Sequence, residues 1–178
     1  MAIREIVLFG DPILRARAAE VDAFDDALKA LVEDMFETMY HAEGVGLAGP
    51  QVGVSRRVLV VDVREREGTV GGRHALINPT IVLADEVMDK DTEGCLSIPG
   101  LEEFVERPWS VVVEGRDPDG NLVRVEADAL LARALQHEID HLDGILFLDR
   151  VSPIKRRILL SKWKKLRQEA EEESLKGS

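Results

Sequence analysis

The chain contains 178 residues, a length typical of one folded domain. Apolar residues account for 45% of it and charged residues for 32%, a balance that excludes a largely disordered chain. The formal net charge of -11 argues against a protein that coats DNA, because phosphate binding requires a basic surface.

The N-terminal stretch and the cysteine content bear on the compartment. Residues 1–12 contain no sustained apolar run, so we predict no secretion signal. No other stretch approaches the ~20 apolar residues that a membrane helix needs. The single cysteine, Cys95, cannot form a disulfide within the chain. We therefore expect a soluble, cytoplasmic protein that does not enter the membrane.

The first part of the chain predicts a turn, a helix and a glycine-rich loop. Gly10-Asp11-Pro12 indicates a turn into a short helix. Between Phe24 and His41 apolar residues recur close to the helical period, which predicts an amphipathic helix. The next segment, residues 43–53, contains too many glycines to remain helical.

The middle of the chain predicts β-strands. Residues 57–63 (RVLVVDV) indicate a buried strand, and residues 75–83 indicate another, with Asn78-Pro79 marking a bend or a sheet edge. Residues 111–114 and 122–125 flank the turn sequence DPDG, which predicts a hairpin.

The C-terminal part predicts helices. Asp128 is a suitable N-cap for a helix over residues 129–143 that stops at Gly144, and a last helix begins near Pro153. Because no repeat or linker interrupts the chain, we expect one α+β domain with a C-terminal helical extension.

The predicted helix 129–143 contains the pattern H-E-x-x-H, formed by His137, Glu138 and His141. Histidines four residues apart lie on one face of a helix, so both imidazoles can bind one metal ion. Glu138 can then take a proton from a water in an open coordination position. The alternative is a pair of solvated histidines. Leu130 and Ala134 lie on the same helix face as the histidines, however, and an apolar face favours a site that points inward.

Two histidines leave a metal site short of a third protein ligand. No histidine follows His141, and the later glutamates lie only in the charged tail from Glu169 onward. Cys95 lies upstream in the sequence EGCLS. A lone cysteine is usually a small buried apolar side chain, but a thiolate beside a divalent cation is a strong ligand. A Cys/His/His site with one open position is therefore chemically sensible.

Three sequence blocks, GVGLAGPQ (44–51), EGCLS (93–97) and QHEIDH (136–141), occur in an order and at separations that closely resemble the peptide deformylases. The resemblance covers most of the chain, including the DP near its start and LDGILF after the metal motif. One departure is Gly49, where the family usually has a second alanine; we expect a somewhat looser loop with no functional group lost.

The resemblance implies the deformylase α+β fold, with antiparallel strands around the HExxH helix. Residues 1–152 would form the catalytic domain, and residues 153–178 a basic, amphipathic extension of it. Cys95, His137 and His141 would hold the metal, typically Fe²⁺ in the cell, with zinc, nickel or cobalt also accepted. By the same resemblance, Glu138 would be the general base. The Gln51 side-chain amide and the Leu96 backbone N–H would form the oxyanion hole, and Gly46 would let the peptide backbone approach closely.

The implied reaction removes the formyl group from an N-formyl-methionyl peptide and releases formate. Selectivity for methionine requires an apolar slot, for which Val45, Leu130 and Ala134 are candidates; ordinary core packing is the alternative. Arg107, which matches an arginine of the family, would pair with Glu43 or Glu93, or simply lie on the surface. Asp140 would either support a metal ligand or be solvated.

The last predicted helix carries a local excess of positive charge. Residues 154–167 contain several basic residues and no acid, with an apolar stripe of Leu159, Trp163, Leu166 and Ala170. Basic C-terminal helices of bacterial deformylases are associated with the ribosome, and the resemblance implies the same partner here. The alternative is a solvated helix that covers the core with its stripe.

Two other functions remain open at this point. A zincin-type peptidase would use the same histidine motif, although it normally takes its third ligand from downstream. A closed structural metal site in a binding module would leave Glu138 and Gln51 without a role.

Overall fold

A computed structural model of the chain describes residues 2–64 and 71–177. Within these ranges the protein contains three α-helices and seven β-strands. In chain order they are α1 (Asp26–His41), β1 (Gly46–Ala48), β2 (Val58–Val63), β3 (Gly72–Ala84), β4 (Met88–Gly94), β5 (Glu102–Pro108), β6 (Ser110–Arg116), β7 (Leu122–Asp128), α2 (Ala129–Leu142) and α3 (Pro153–Lys176). Short 3-10 turns cover Pro12–Arg15, Gly49–Val52 and Phe147–Arg150. The predicted α+β class and C-terminal helix are confirmed.

The strands form an antiparallel five-stranded sheet and a separate hairpin. The sheet has the order β1-β2-β3-β6-β7, and among the described residues β4 pairs with β5 alone. Asn78 has a φ of 51°, and the pairing of β3 with β6 shifts register between Ile77 and Thr80. Asn78-Pro79 therefore marks a bend inside an interior strand, and the alternative of a sheet edge is wrong.

The sheet separates two layers of core, as the alternation of side chains along β2 requires. Val58 and Val60 contact the cluster beneath α1, whereas Leu59, Val61 and Val63 contact the cluster beneath α2. Asp25 caps α1 by accepting a hydrogen bond from the Leu28 N–H. The helix thus begins after Phe24, and its predicted apolar face is buried at Leu28, Leu31, Met35 and Met39.

Helix α2 lies at the centre of the molecule, with every residue from Leu131 to Leu142 buried. Arg57 fixes its C-terminal end by donating to the Leu142 carbonyl and to Asp143, a favourable position for a cation. The residues of the metal motif are therefore carried on the most firmly packed helix of the fold.

Helix α3 begins at the predicted Pro153, where Ser152 caps it by accepting from the Lys155 N–H. Leu159 and Trp163 bury its stripe in a third cluster together with Ile98 and Phe147. The stripe is shorter than predicted, because Leu166 and Ala170 are both exposed. Among the helices in the described ranges, none has the length and apolar composition that crossing a bilayer requires.

Candidate metal centre

The structure brings Cys95, His137 and His141 together. Cys95 follows the last residue of β4, and the histidines lie one turn apart on α2. The possible ligand atoms of the three residues lie within 4.8 Å of one another, with the Cys95 Sγ 3.3 Å from the His141 Nε2. One sulfur and two imidazole nitrogens form a donor set that fits a divalent transition metal.

The Glu93 carboxylate orients the ring of His137. Its Oε1 lies 2.9 Å from the His137 Nδ1. Burial alone would raise the pKa of Glu93, but hydrogen bonds from His137 and Arg107 outweigh it and lower the pKa to about 2. Because an ionised carboxylate can only accept, Nδ1 is the nitrogen that donates to Glu93, and Nε2 is the nitrogen that is left to bind an ion.

Glu93 belongs to a network of buried charges. Arg107 donates to both Glu93 oxygens and, through Nη1, to the Asp140 Oδ2 at 2.9 Å. Arg133 donates to Glu93 and to the carbonyls of Val105 and Asp89. We call Glu93, Arg107, Arg133 and Asp140 the buried network.

The buried network settles two open predictions and adds one residue. Arg107 is 4% exposed and pairs with Glu93, so the alternatives of a surface arginine and of pairing with Glu43 are wrong. Asp140 is also buried and paired with Arg107, so the solvated alternative is wrong. Arg133 was not predicted from the sequence, although an arginine inside an otherwise apolar helical stretch indicates a buried ion pair.

Glu138 is buried beside the possible ligands, and its Oε1 has no hydrogen-bond partner among the described residues. Burial raises its pKa to about 7, with the neighbouring Glu93 and Asp140 acting in the same direction and His137 and Arg107 opposing. A Cβ added at Gly46 would lie 2.5 Å from the Glu138 Oε2. Gly46 therefore makes room for this carboxylate, a requirement that the sequence analysis did not foresee.

Gln51 reaches the same centre from the loop after β1. Its Oε1 accepts from the Ala48 N–H at 3.0 Å, and its Nε2 lies 3.1 Å from the Ser97 Oγ and 3.5 Å from the Cys95 Sγ. The side-chain amide is thus held at both ends and directed toward the cysteine. Leu96 lies between Cys95 and Ser97 in the turn that follows β4. Ser97, which is fully buried, was not singled out from the sequence.

A cavity of about 770 Å³ opens onto these residues. The predicted pocket residues Val45, Gly46, Leu130 and Ala134 all line it, together with Leu96, His137 and Glu138. Ala134 is buried, whereas Val45 is 45% and Leu130 38% exposed. The expectation of a uniformly inward face is therefore wrong at Leu130, which lies at the rim.

Comparison with known proteins decides the family. A sequence profile described as "Polypeptide deformylase" matches residues 3–157, which is most of the chain. The chain belongs to the polypeptide deformylase family. A peptide deformylase of Brucella suis is 46% identical to it over 166 residues, covering 93% of this chain and 94% of the relative.

Solved deformylase structures share the fold. A crystal structure of the peptide deformylase from Ehrlichia chaffeensis is 41% identical, has a TM-score of 0.87 and covers 93% of this chain and 97% of that chain. A second structure of the Ehrlichia protein, in complex with actinonin, is 43% identical at the same TM-score of 0.87, with 93% and 98% covered. As a deformylase, the chain is a metal-dependent hydrolase, which argues against the peptidase and the non-enzymatic binding module.

Within this deformylase the departure at Gly49 is compensated by closer packing. Gly49 is buried, and a Cβ there would lie 2.8 Å from the carbonyl oxygens of Val54 and Arg56. The backbone thus occupies the space that an alanine methyl would fill. The looser loop stays a prediction.

Proposed function

We propose that the protein removes the formyl group from the N-terminal methionine of newly made polypeptides and releases formate. One observation carries the proposal: the Glu138 carboxylate, whose Oε1 has no hydrogen-bond partner among the described residues, lies with Cys95 and His137 at a cavity of about 770 Å³. The family membership of the chain supports the same reaction.

Cys95, His137 and His141 would hold one divalent metal ion, which we propose to be Fe²⁺ in the cell. The donor set suits both iron and zinc, and nickel and cobalt are also compatible with it. The ion would supply Lewis-acid polarisation of the formyl carbonyl and of an attacking water. Purification under anaerobic conditions followed by metal analysis tests the choice of iron; zinc as the bound metal would contradict it.

Glu138 would act first as a base and then as an acid. Its carboxylate would accept the proton of the water that attacks the formyl carbon, and it would return that proton to the departing amine. The C–N bond of the formamide then breaks, and the products are formate and a free N-terminus. Burial raises the pKa of Glu138 to about 7, and a cation bound beside the carboxylate would lower it and favour the ionised base.

Gln51 and Leu96 would stabilise the negative charge that develops on the formyl oxygen. The Gln51 Nε2 carries two N–H groups, and Ser97 accepts only one of them. The second is directed toward the Cys95 Sγ, which lies 3.5 Å from Nε2. The backbone N–H of Leu96, the next residue along the chain, would provide another donor. A single donor of this kind is typically worth ~3–4 kcal/mol in the transition state.

The methionine side chain would enter the apolar part of the cavity. Ala134 would form a buried wall, with Val45 and Leu130 at the rim. β1 lies at one end of the sheet, so an extended peptide could hydrogen-bond along its free edge, with Gly46 allowing close approach.

Parallel assays of formyl-Met-Ala, acetyl-Met-Ala and an internal peptide test the function. We expect formate release from the first substrate alone. Glu138→Gln should retain the metal and lose this activity. Cleavage of only the internal peptide would contradict the proposal.

We further propose that residues 1–152 form the catalytic domain and that residues 153–178 extend it toward the ribosome, which would place the protein in the cytoplasm. The basic side chains of α3 at Arg157, Lys164 and Lys165 are exposed and suit RNA phosphate. A solvated helix whose stripe only covers the core remains the alternative.

Charge reversal tests the ribosome proposal better than truncation, because truncation would also expose the buried contacts of Leu159 and Trp163. We expect Arg157→Glu, Lys164→Glu and Lys165→Glu together to abolish co-sedimentation with ribosomes. The matched control reverses three exposed charges elsewhere, at Arg17, Arg64 and Lys90. Equal co-sedimentation of the two triple variants would contradict the proposal.

A further inference from the structure

Arg150 binds the carboxylate of Asp140, the residue that lies between the two histidines of the metal motif. Its Nη2 donates to the Asp140 Oδ1 at 2.8 Å, and its Nε donates to the Asp140 Oδ2 at 3.1 Å. This two-point geometry fixes the plane of the carboxylate as well as its position. Arg150 closes the 3-10 turn Phe147–Arg150, just before α3, and does not line the cavity.

The Asp140 carboxylate is shared between Arg150 on the outside and Arg107 on the inside. The Arg107 side chain is 5% exposed, whereas that of Arg150 is 45% exposed. Arg107 in turn holds Glu93, and Glu93 holds the His137 Nδ1. An unbroken series of charge-assisted hydrogen bonds therefore runs from the surface to a possible metal ligand.

The series joins helix α2 to the β4–β5 hairpin, whose two strands are already paired with each other. Asp140 is on α2, Arg107 on β5 and Glu93 on β4. Arg107 holds Glu93 through Nε and Nη2, and Asp140 fixes the same guanidinium by accepting from its third nitrogen, Nη1. Without Arg150, the Asp140 carboxylate would be free to turn toward solvent, and Arg107 would lose a well-aligned acceptor.

The geometry points to Arg150 as a positioning residue that acts on the metal ligands through Asp140, Arg107 and Glu93. This inference rests on the ligand assignment proposed above and deepens it. Partners directly behind a metal ligand typically change metal affinity or activity by about 10- to 100-fold. Because Arg150 lies further out, we expect about a threefold to tenfold weaker affinity when it is removed.

The experiment compares Arg150→Ala with Arg156→Ala. Arg156 is a matched control, because its side chain is 46% exposed and pairs with Asp149, outside the buried network. Co²⁺ is titrated into each metal-free protein, and the absorbance of the cobalt–thiolate bond gives the affinity. The thermal unfolding of each metal-free protein is measured as well, together with kcat and KM of the loaded enzymes.

We expect weaker Co²⁺ binding and a lower kcat for Arg150→Ala, with KM unchanged, and wild-type values for Arg156→Ala. Arg150→Lys keeps the charge but loses the bidentate hydrogen bonds to Asp140. Its Co²⁺ affinity and kcat should lie between those of Arg150→Ala and those of the wild type. Equal Co²⁺ affinity of Arg150→Ala and Arg156→Ala would overturn the inference, even if the two variants differ in unfolding temperature. Absence of the cobalt–thiolate signal in the wild type would instead overturn the ligand assignment, and the inference with it.

Discussion

The Glu93 carboxylate lies 2.9 Å from the His137 Nδ1, so the group that neutralises the buried Arg107 also orients a possible metal ligand. The Glu93 side chain therefore takes part both in a buried ion pair and in the orientation of a possible metal ligand. Removing the carboxylate should affect the stability of the fold and the affinity of the centre together.

Glu93→Gln should weaken metal binding by about 10- to 100-fold, because the His137 ring loses its charged partner. It should also destabilise the protein by roughly 3–5 kcal/mol, since Arg107 and Arg133 would remain buried without a carboxylate between them. Metal titration and urea unfolding of the metal-free protein measure the two effects. Glu103→Gln, which breaks only a partly exposed pair with Lys155, is the control and should change neither quantity.

The same carboxylate predicts an acid-sensitive step in stability. Because the folded-state pKa of about 2 lies below the ordinary 4.5, ionised Glu93 contributes stability above pH 4.5 that is lost as the pH falls through 2. The shift corresponds to roughly 3 kcal/mol. Unfolding free energies measured across this window should fall for the wild type and much less for Glu93→Gln; parallel curves would show that Glu93 is not the group responsible.

Glu138→Gln should lower kcat by about 100- to 10,000-fold, because it removes the proton acceptor while nearly preserving shape. The base must be ionised, so kcat/KM of the wild type should decline as the pH falls below the pKa of Glu138. That pKa is about 7 through burial, and a cation bound beside the carboxylate would lower it. Any residual activity of Glu138→Gln should not decline at low pH in this way. If Glu138→Gln turned over as fast as the wild type with unchanged metal content, the assignment would be refuted.

Gly46→Ala should impair the chemical step without removing a polar group. The added methyl would meet the Glu138 Oε2 at 2.5 Å and displace the carboxylate. We expect at least a tenfold lower kcat, about the cost of a misplaced catalytic group, with metal content unchanged. Gly177→Ala, where the nearest atom is 3.6 Å away, should behave as the wild type.

Ser97→Ala should release one end of the Gln51 amide. The Gln51 Nε2 would lose its acceptor at 3.1 Å and could rotate away from the formyl oxygen. We expect a fall in kcat smaller than the roughly 100- to 1,000-fold loss expected for Gln51→Leu, which removes the donor altogether. In the double variant the two effects should not add; full additivity would mean that Ser97 acts independently of Gln51.

The elements that were predicted correctly are those in which the spacing of apolar residues along the sequence follows the buried face. Strand β2 and helix α1 were found through apolar runs and helical spacing, and α2 through its apolar stripe and its flanking Asp128 and Gly144. The hairpin β4–β5 was missed because its strands, MDKDTEG and EEFVERP, are mostly charged and half exposed. Its register depends on the pairing of the two strands rather than on a hydrophobic pattern.

The site was predicted to the extent that its chemistry lies in local motifs. Cys95, Glu138 and the two histidines could be read from spacing and donor chemistry. The contacts of Arg133 with Glu93, of Ser97 with Gln51 and of Arg150 with Asp140 could not, because each forms only when separate elements of the fold meet. Glu93 and Arg133, for example, are 40 residues apart.

The location of the bound metal tests the central claim most directly. Crystals of the zinc-loaded protein, measured at the zinc absorption edge, should show one anomalous peak about 2.3 Å from the Cys95 Sγ and about 2.0–2.1 Å from the imidazole nitrogens of His137 and His141. A peak that lies elsewhere, or that lacks the cysteine sulfur among its ligands, would contradict the assignment of the site and the mechanism built on it.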